Sequence, residues 1–212
     1  MDINANPFDE YNGKLAAADL RRYRAKGPRP WTRNLIEAIR AEGVEGATLL
    51  DIGGGIGAIH HELLGAGVSH ATCVEASAAY LEAARDETKL RGDTARVTFM
   101  LGDFVDVAES VPPADIVTLD RVVNTYPDAQ RLIELSANHA QRLYGLVLPR
   151  NTPAAALSIH VINLIQRLRR KRVRAAAVPL DDIDRVMRSK DFHICFSQNV
   201  GPVWHVAVYG RP

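Results

Sequence analysis

The stretch Leu49-Leu50-Asp51-Ile52-Gly53-Gly54-Gly55-Ile56-Gly57 constrains this chain more than any other. An apolar pair leads into an acid, and four of the next six residues are glycine. Ala58 to Leu64 then reads as the opening turns of a helix. The pattern predicts a strand, a tight glycine turn and a helix start. Glycine permits positive φ and lets a ligand approach the backbone. The helix N-terminus adds N–H groups with no intrahelical partner. A nucleotide-like ligand suits such a loop.

Glycine loops of this kind serve nicotinamide and flavin proteins as well, so neighbouring features matter. Asp51 stands two residues before Gly53, where dinucleotide-binding folds usually carry an apolar residue. A second apolar run, Ala71-Thr72-Cys73-Val74, ends in Glu75, 18 residues after Gly57. That is about the distance at which an acid meets ribose hydroxyls in a βαβ unit. A third run, Val97 to Leu101, ends in Gly102-Asp103-Phe104.

These three elements, in this order, resemble the class I S-adenosylmethionine-dependent methyltransferases, from about residue 30 to the C-terminus. The resemblance implies a cofactor site at Asp51, Gly53, Gly54, Gly55, Gly57, Glu75, Ala76, Asp103, Phe104 and Asp120. Asp51 would organise the loop and face the methionine ammonium, directly or through water. Glu75 would accept both ribose hydroxyls. Asp103 would accept the adenine amino group, with Phe104 against the ring. Tyr23 to Pro28, Thr32-Arg33, Leu119 to Val123 and Tyr126-Pro127-Asp128 are similar to the magnesium-protoporphyrin O-methyltransferase branch, which implies an acidic, planar acceptor.

The fold class expected is α/β: a Rossmann-like, doubly wound, mostly parallel seven-stranded sheet with an antiparallel C-terminal hairpin and helices on both faces. Strands are predicted at 47–52, 70–75, 96–101, 115–120 and 143–148, and helices at 57–66, 77–91, 105–110 and 128–142. Such alternation produces parallel strands joined by crossover helices. Segments 192–197 and 203–209 flank a short turn at Gly201-Pro202, too short for a crossover, so they should pair antiparallel. Upstream, 13–24 reads as a helix, Gly27 to Pro30 as a break, and Thr32 as the N-cap of a helix reaching Arg40. A helix over 158–174 carries the basic run Arg167 to Arg174, and another runs from Leu180 to about Lys190.

One domain is expected over 1–212: a helical cap (1–45), a cofactor-binding core (46–149), a helical insertion (150–190) and the terminal hairpin (191–212). The 212 residues carry a net charge of +1, which gives no global field for nucleic acid or a membrane surface. The Asn/Asp-Pro-Pro-aromatic motif of many nucleic-acid and protein N-methyltransferases is absent. No apolar run reaches the roughly 20 residues of a membrane span. Two cysteines, Cys73 and Cys195, make no disulfide framework, and a reducing cytoplasm is expected. No metal-ligand spacing is visible. Oligomeric state is open.

Candidate catalytic groups are His60, Asp120 and Tyr126, with one of His60 and His61 expected to face solvent. Tyr23, Arg121, Tyr126 and Arg150 are candidate acceptor contacts. The expected function is methyl transfer from S-adenosylmethionine to a small molecule, at oxygen. A nicotinamide-dependent oxidoreductase, or a catalytically silent cofactor-binding protein on the same scaffold, are the alternatives.

Overall fold

A computed structural model describes residues 12–150, 152 and 178–211. The strands are β1 (Thr48–Ile52), β2 (His70–Glu75), β3 (Val97–Leu101), β4 (Ala114–Asp120), β5 (Ala140–Pro149), β6 (His193–Val200) and β7 (Trp204–Gly210). They form one seven-stranded sheet in the order β3-β2-β1-β4-β5-β7-β6. The first five strands run parallel, and β7 pairs antiparallel with both β5 and β6. The expected fold class is what the chain adopts, terminal hairpin included.

The helices are α1 (Gly13–Lys26), α2 (Pro30–Ala41), α3 (Ala58–Gly65), α4 (Ala78–Arg91), α5 (Phe104–Val107), α6 (Ala129–His139) and α7 (Leu180–Ser189). Successive strand side chains point to opposite faces, and the core divides accordingly. Leu49, Cys73 and Ile116 pack with Leu35 and Ile39 of α2, Leu63 of α3 and Leu81 of α4. Leu50, Val117 and Tyr144 pack on the other face with Phe104 of α5, Leu132 and Ile133 of α6 and Met187 of α7. With both faces covered, the central strands are continuously apolar.

Boundaries shift by a few residues from the sequence reading, and three of the shifts have a clear cause. Helix α2 starts at Pro30, not after Thr32, because proline's fixed φ suits the first helical position. Thr32 is therefore inside the helix, and its hydroxyl donates to Asp120 Oδ2 at 2.5 Å. Helix α6 ends at His139, since Ala140 already pairs with Ala114 of β4. The predicted helix 105–110 is a short α5 followed by a 3-10 turn, Ala108–Ser110. The expected helix 158–174 and its basic run lie outside the described residues.

Candidate functional site

The C-terminal ends of β1 to β4 open into one cavity of about 320 Å³, within the usual size of a small-molecule site. Gly53, Gly55, Glu75, Ala76, Asp103, Phe104, Asp120, Arg121 and Tyr126 all line it. A smaller cavity of about 90 Å³ adjoins it across Gly53, Gly55, Tyr80, Asp120 and Arg121, and also takes in Tyr23, Asp51 and Gly54. Three separate sequence elements thus converge on one place.

The glycine loop is shaped by what surrounds it. Gly53 has φ +63°, and a Cβ there would meet a methyl of Val122 at 2.5 Å. Gly55 has φ +58°, and a Cβ there would meet only Tyr80, at 3.7 Å, projecting instead into the cavity. This is a cradle that a side chain would fill. Gly57, also left-handed, is the N-cap of α3. Above the loop, α1 is tied down by Asp19, which accepts from the Tyr80 hydroxyl at 2.8 Å and pairs with Arg29 at 3.1 Å.

Glu75 reaches across to the loop. Its Oε2 accepts from the Gly55 N–H at 2.9 Å and its Oε1 from the Ser77 N–H at 2.8 Å. Each carboxylate oxygen has two lone-pair sites, so the group keeps room for a further donor. Burial pushes its pKa above the ordinary carboxylate range, opposed by these backbone bonds. Asp103 caps α5 through Oδ1, which accepts from the Val105 N–H at 3.1 Å and the Tyr126 hydroxyl at 2.8 Å. Phe104 is buried beneath, edge-on to His139.

Asp51 lies under the loop rather than in the open, 1% exposed. Its Oδ1 accepts from the Thr118 hydroxyl at 2.9 Å, and its Oδ2 faces His60 Nδ1 at 3.4 Å. Asp120 ends β4 with Oδ2 on Thr32 and Oδ1 on Arg121 Nε at 3.2 Å.

Several candidates sit elsewhere than expected. His60 and His61 are both buried, and neither lines either of these two cavities. Their helix is covered by α1, whose Tyr23 ring stacks on His61 and whose Tyr23 hydroxyl donates to Glu62 at 2.8 Å. Burial, with a smaller contribution from His60, pushes His61 down to about 2. Tyr23 thus reaches the smaller cavity with its hydroxyl already engaged. Tyr126 lines the main cavity, but its hydroxyl serves Asp103. Burial and that bond push its ionisation well above the usual phenol range. Arg150 lines neither cavity; its side chain reaches the Gly201 carbonyl at 3.4 Å.

The sequence reading missed Thr32, Thr118, Asn124, Trp31 and Trp204. Trp204 opens β7 opposite Pro149, a pairing across more than fifty residues that no local pattern announces. Asn124, 6% exposed, lines the main cavity with its Oδ1 unpartnered. Among the described residues no group of three or more metal-ligating side chains comes together.

The O-methyltransferase domain model matches residues 30–148, more than half of the chain. The protein belongs to that family, within the S-adenosylmethionine-dependent methyltransferases. Family membership replaces the nicotinamide reading. No curated protein matches the chain. Among solved structures, magnesium protoporphyrin IX methyltransferase from Synechocystis with bound S-adenosylhomocysteine is similar at 19% identity, TM-score 0.73, over 96% of this chain and 97% of that one. An O-methyltransferase family 2 protein from Planctomyces limnophilus in complex with apigenin matches at 16% identity, TM-score 0.68, over 93% and 62%. A candidate RNA methyltransferase from Pyrococcus horikoshii matches at 14% identity, TM-score 0.61, over 94% and 96%. At these identities the likeness is one of fold.

Proposed function

We propose that the protein transfers the methyl group of S-adenosylmethionine to an oxygen of a small-molecule acceptor. The observation that carries this is the convergence of the Gly53–Gly57 loop, Glu75 and Asp103 on one cavity. When bound, S-adenosylmethionine supplies a methyl on a positively charged sulfur with its own leaving group. The chain has to align the partners and keep water out.

In this reading Gly53, Gly54, Gly55 and Gly57 hold the methionine portion. Asp51, pinned by Thr118, braces the loop from below. Glu75 accepts from the ribose hydroxyls where its backbone bonds leave a lone pair open. Ala76 and Phe104 flank the adenine, and Asp103 Oδ2 accepts its amino group. Tyr126 steadies Asp103 rather than acting as a base. Asp120 stands at the methyl end, fixed from α2 by Thr32 and from the turn after β4 by Arg121. His60 acts, if through anything, through Asp51.

The near-neutral charge supports a small molecule over nucleic acid. The planar molecules named with two of the similar structures, a protoporphyrin and apigenin, support a planar acceptor. No helix among the described residues is long and apolar enough to cross a membrane. The free thiols of Cys73 and Cys195 suit a reducing cytoplasm. The helical cap, core and hairpin work as one domain in this reading.

The test is transfer of a labelled methyl group from S-adenosylmethionine to a panel of phenols, carboxylic acids, amines, RNA and protein. Label in an oxygen acceptor of low mass is the expected result. Label in RNA or protein alone would contradict the proposal. Cofactor binding without transfer to any member would favour a catalytically silent scaffold.

A further inference from the structure

Arg121, just past β4, has φ +62°. For a residue other than glycine this is strained backbone, and it persists only where the surroundings impose it. Here they do. The Arg121 N–H donates to the Val147 carbonyl at 3.0 Å, and Nε donates to Asp120 at 3.2 Å. The guanidinium carbon lies 5.5 Å from the Trp31 ring centre and 5.9 Å from that of Trp204. Strand end, acid and two indoles fix the side chain at the cavity wall. Among the described residues, its two NH₂ groups make no hydrogen bond.

Asn124, three residues on, also lines this cavity, and its amide oxygen is buried and unpartnered. An unmet buried polar atom is costly unless a ligand meets it. The NH₂ of the same amide carries two donors that suit a ligand oxygen. Two proton-accepting groups near Arg121 are already bonded. Asp120 has both oxygens bonded, and Tyr126 serves Asp103.

We infer that Arg121, clamped by Trp31 and Trp204 and assisted by Asn124, seats an acceptor whose methylated group arrives already ionised, as a carboxylate or an acidic phenol. This rests on the methyl-transfer reading above and narrows its acceptor. A lone pair of the acceptor oxygen forms the new O–C bond. The C–S bond breaks, and its electron pair stays on sulfur. No proton leaves, so no base is required. For a carboxylate, Arg121 holds one oxygen while the other attacks. Planar guanidinium and carboxylate groups match in geometry, and Trp204, which lines the cavity, offers a flat face to a ring.

Trp31 and Trp204 are the only two tryptophans in the chain. Their indole N–H resonances therefore report this seat directly in the intact protein. S-adenosylhomocysteine binding is measured first, by calorimetry. The loaded protein is then titrated with benzoate, ionised 4-nitrophenol and benzyl alcohol. One or both anions should shift the indole signals saturably, and benzyl alcohol should not. The anion that saturates identifies carboxylate or phenolate. Arg121→Asn, a residue tolerant of left-handed φ, should weaken anion binding by about tenfold or more, the loss of one charge-assisted contact. Asn124→Ala should weaken it too, and decides the matter should Arg121→Asn fail to fold. Benzyl alcohol binding as tightly as the anions, no indole response to either anion, or anion affinity unchanged in the folded variants would overturn the inference. Failure of wild-type protein to bind S-adenosylhomocysteine at the first step would instead overturn the methyl-transfer reading beneath it.

Discussion

Buried ionisable residues around the loop decide how the site responds to pH. His61 is neutral in the folded protein because burial holds its pKa near 2, against an ordinary value of 6.5. Below the ordinary value the unfolded chain takes up a proton that the folded chain refuses. Stability therefore falls as pH drops through that window, by about 2 kcal/mol between pH 7 and pH 5 for full linkage. His61→Phe should flatten this part of the profile, measured as urea midpoints at the two pH values. An unchanged slope would mean that His61 is solvated. Such residues mark where sequence reading ended. Glycines and strand-end acids are legible because their chemistry is local to one turn. The inward turn of both His60 and His61 is not, because His60 meets Asp51 and Phe99 and His61 meets Tyr23, all from other elements. Tyr126 was legible as a cavity residue, but its bond to Asp103 joins two loops that only the sheet brings together. Arg150 follows β5, yet the antiparallel β7 beside it draws the side chain to Gly201 and away from the cavity.

At the scale of elements, the site depends on α2 lying hard against β5. A Cβ on Gly145 would come within 2.8 Å of Leu35 Cδ1 and 3.0 Å of Ile39 Cδ1. Gly145→Ala should therefore overpack this contact and cost about 1–3 kcal/mol, read from denaturant unfolding. The strain should also move Thr32, on α2, relative to Asp120. A stability equal to wild type would show that α2 is free to shift. Most elements could be read from apolar runs and breakers, since helix and strand repeat with different periods. The errors fell at junctions. The switch from α6 to β5 at Ala140 is set by pairing with Ala114, a long-range contact with no local signature. The start of α2 was displaced because Pro30 outweighed Thr32 as a start signal.

For the molecule as a whole, the order of strands places the glycine loop, Glu75, Asp103 and Asp120 along one edge of the sheet. Ligands in open α/β sheets bind outside the carboxyl ends of the strands, and the main cavity lies there. The terminal hairpin completes the sheet and delivers Trp204 to that cavity. The topology was readable because a short turn forces antiparallel pairing. The role of Trp204 was not, because it required knowing that β7 inserts between β5 and β6. In the proposed reading this edge holds S-adenosylmethionine, with Glu75 on the ribose. Calorimetric titration of wild type and Glu75→Ala with S-adenosylhomocysteine and with NAD tests it most directly. Wild type should bind the first and not the second, and Glu75→Ala should lose about 1.5–3 kcal/mol, as expected for hydrogen bonds to a charged group. Binding of NAD, or S-adenosylhomocysteine affinity indifferent to Glu75, would contradict the account.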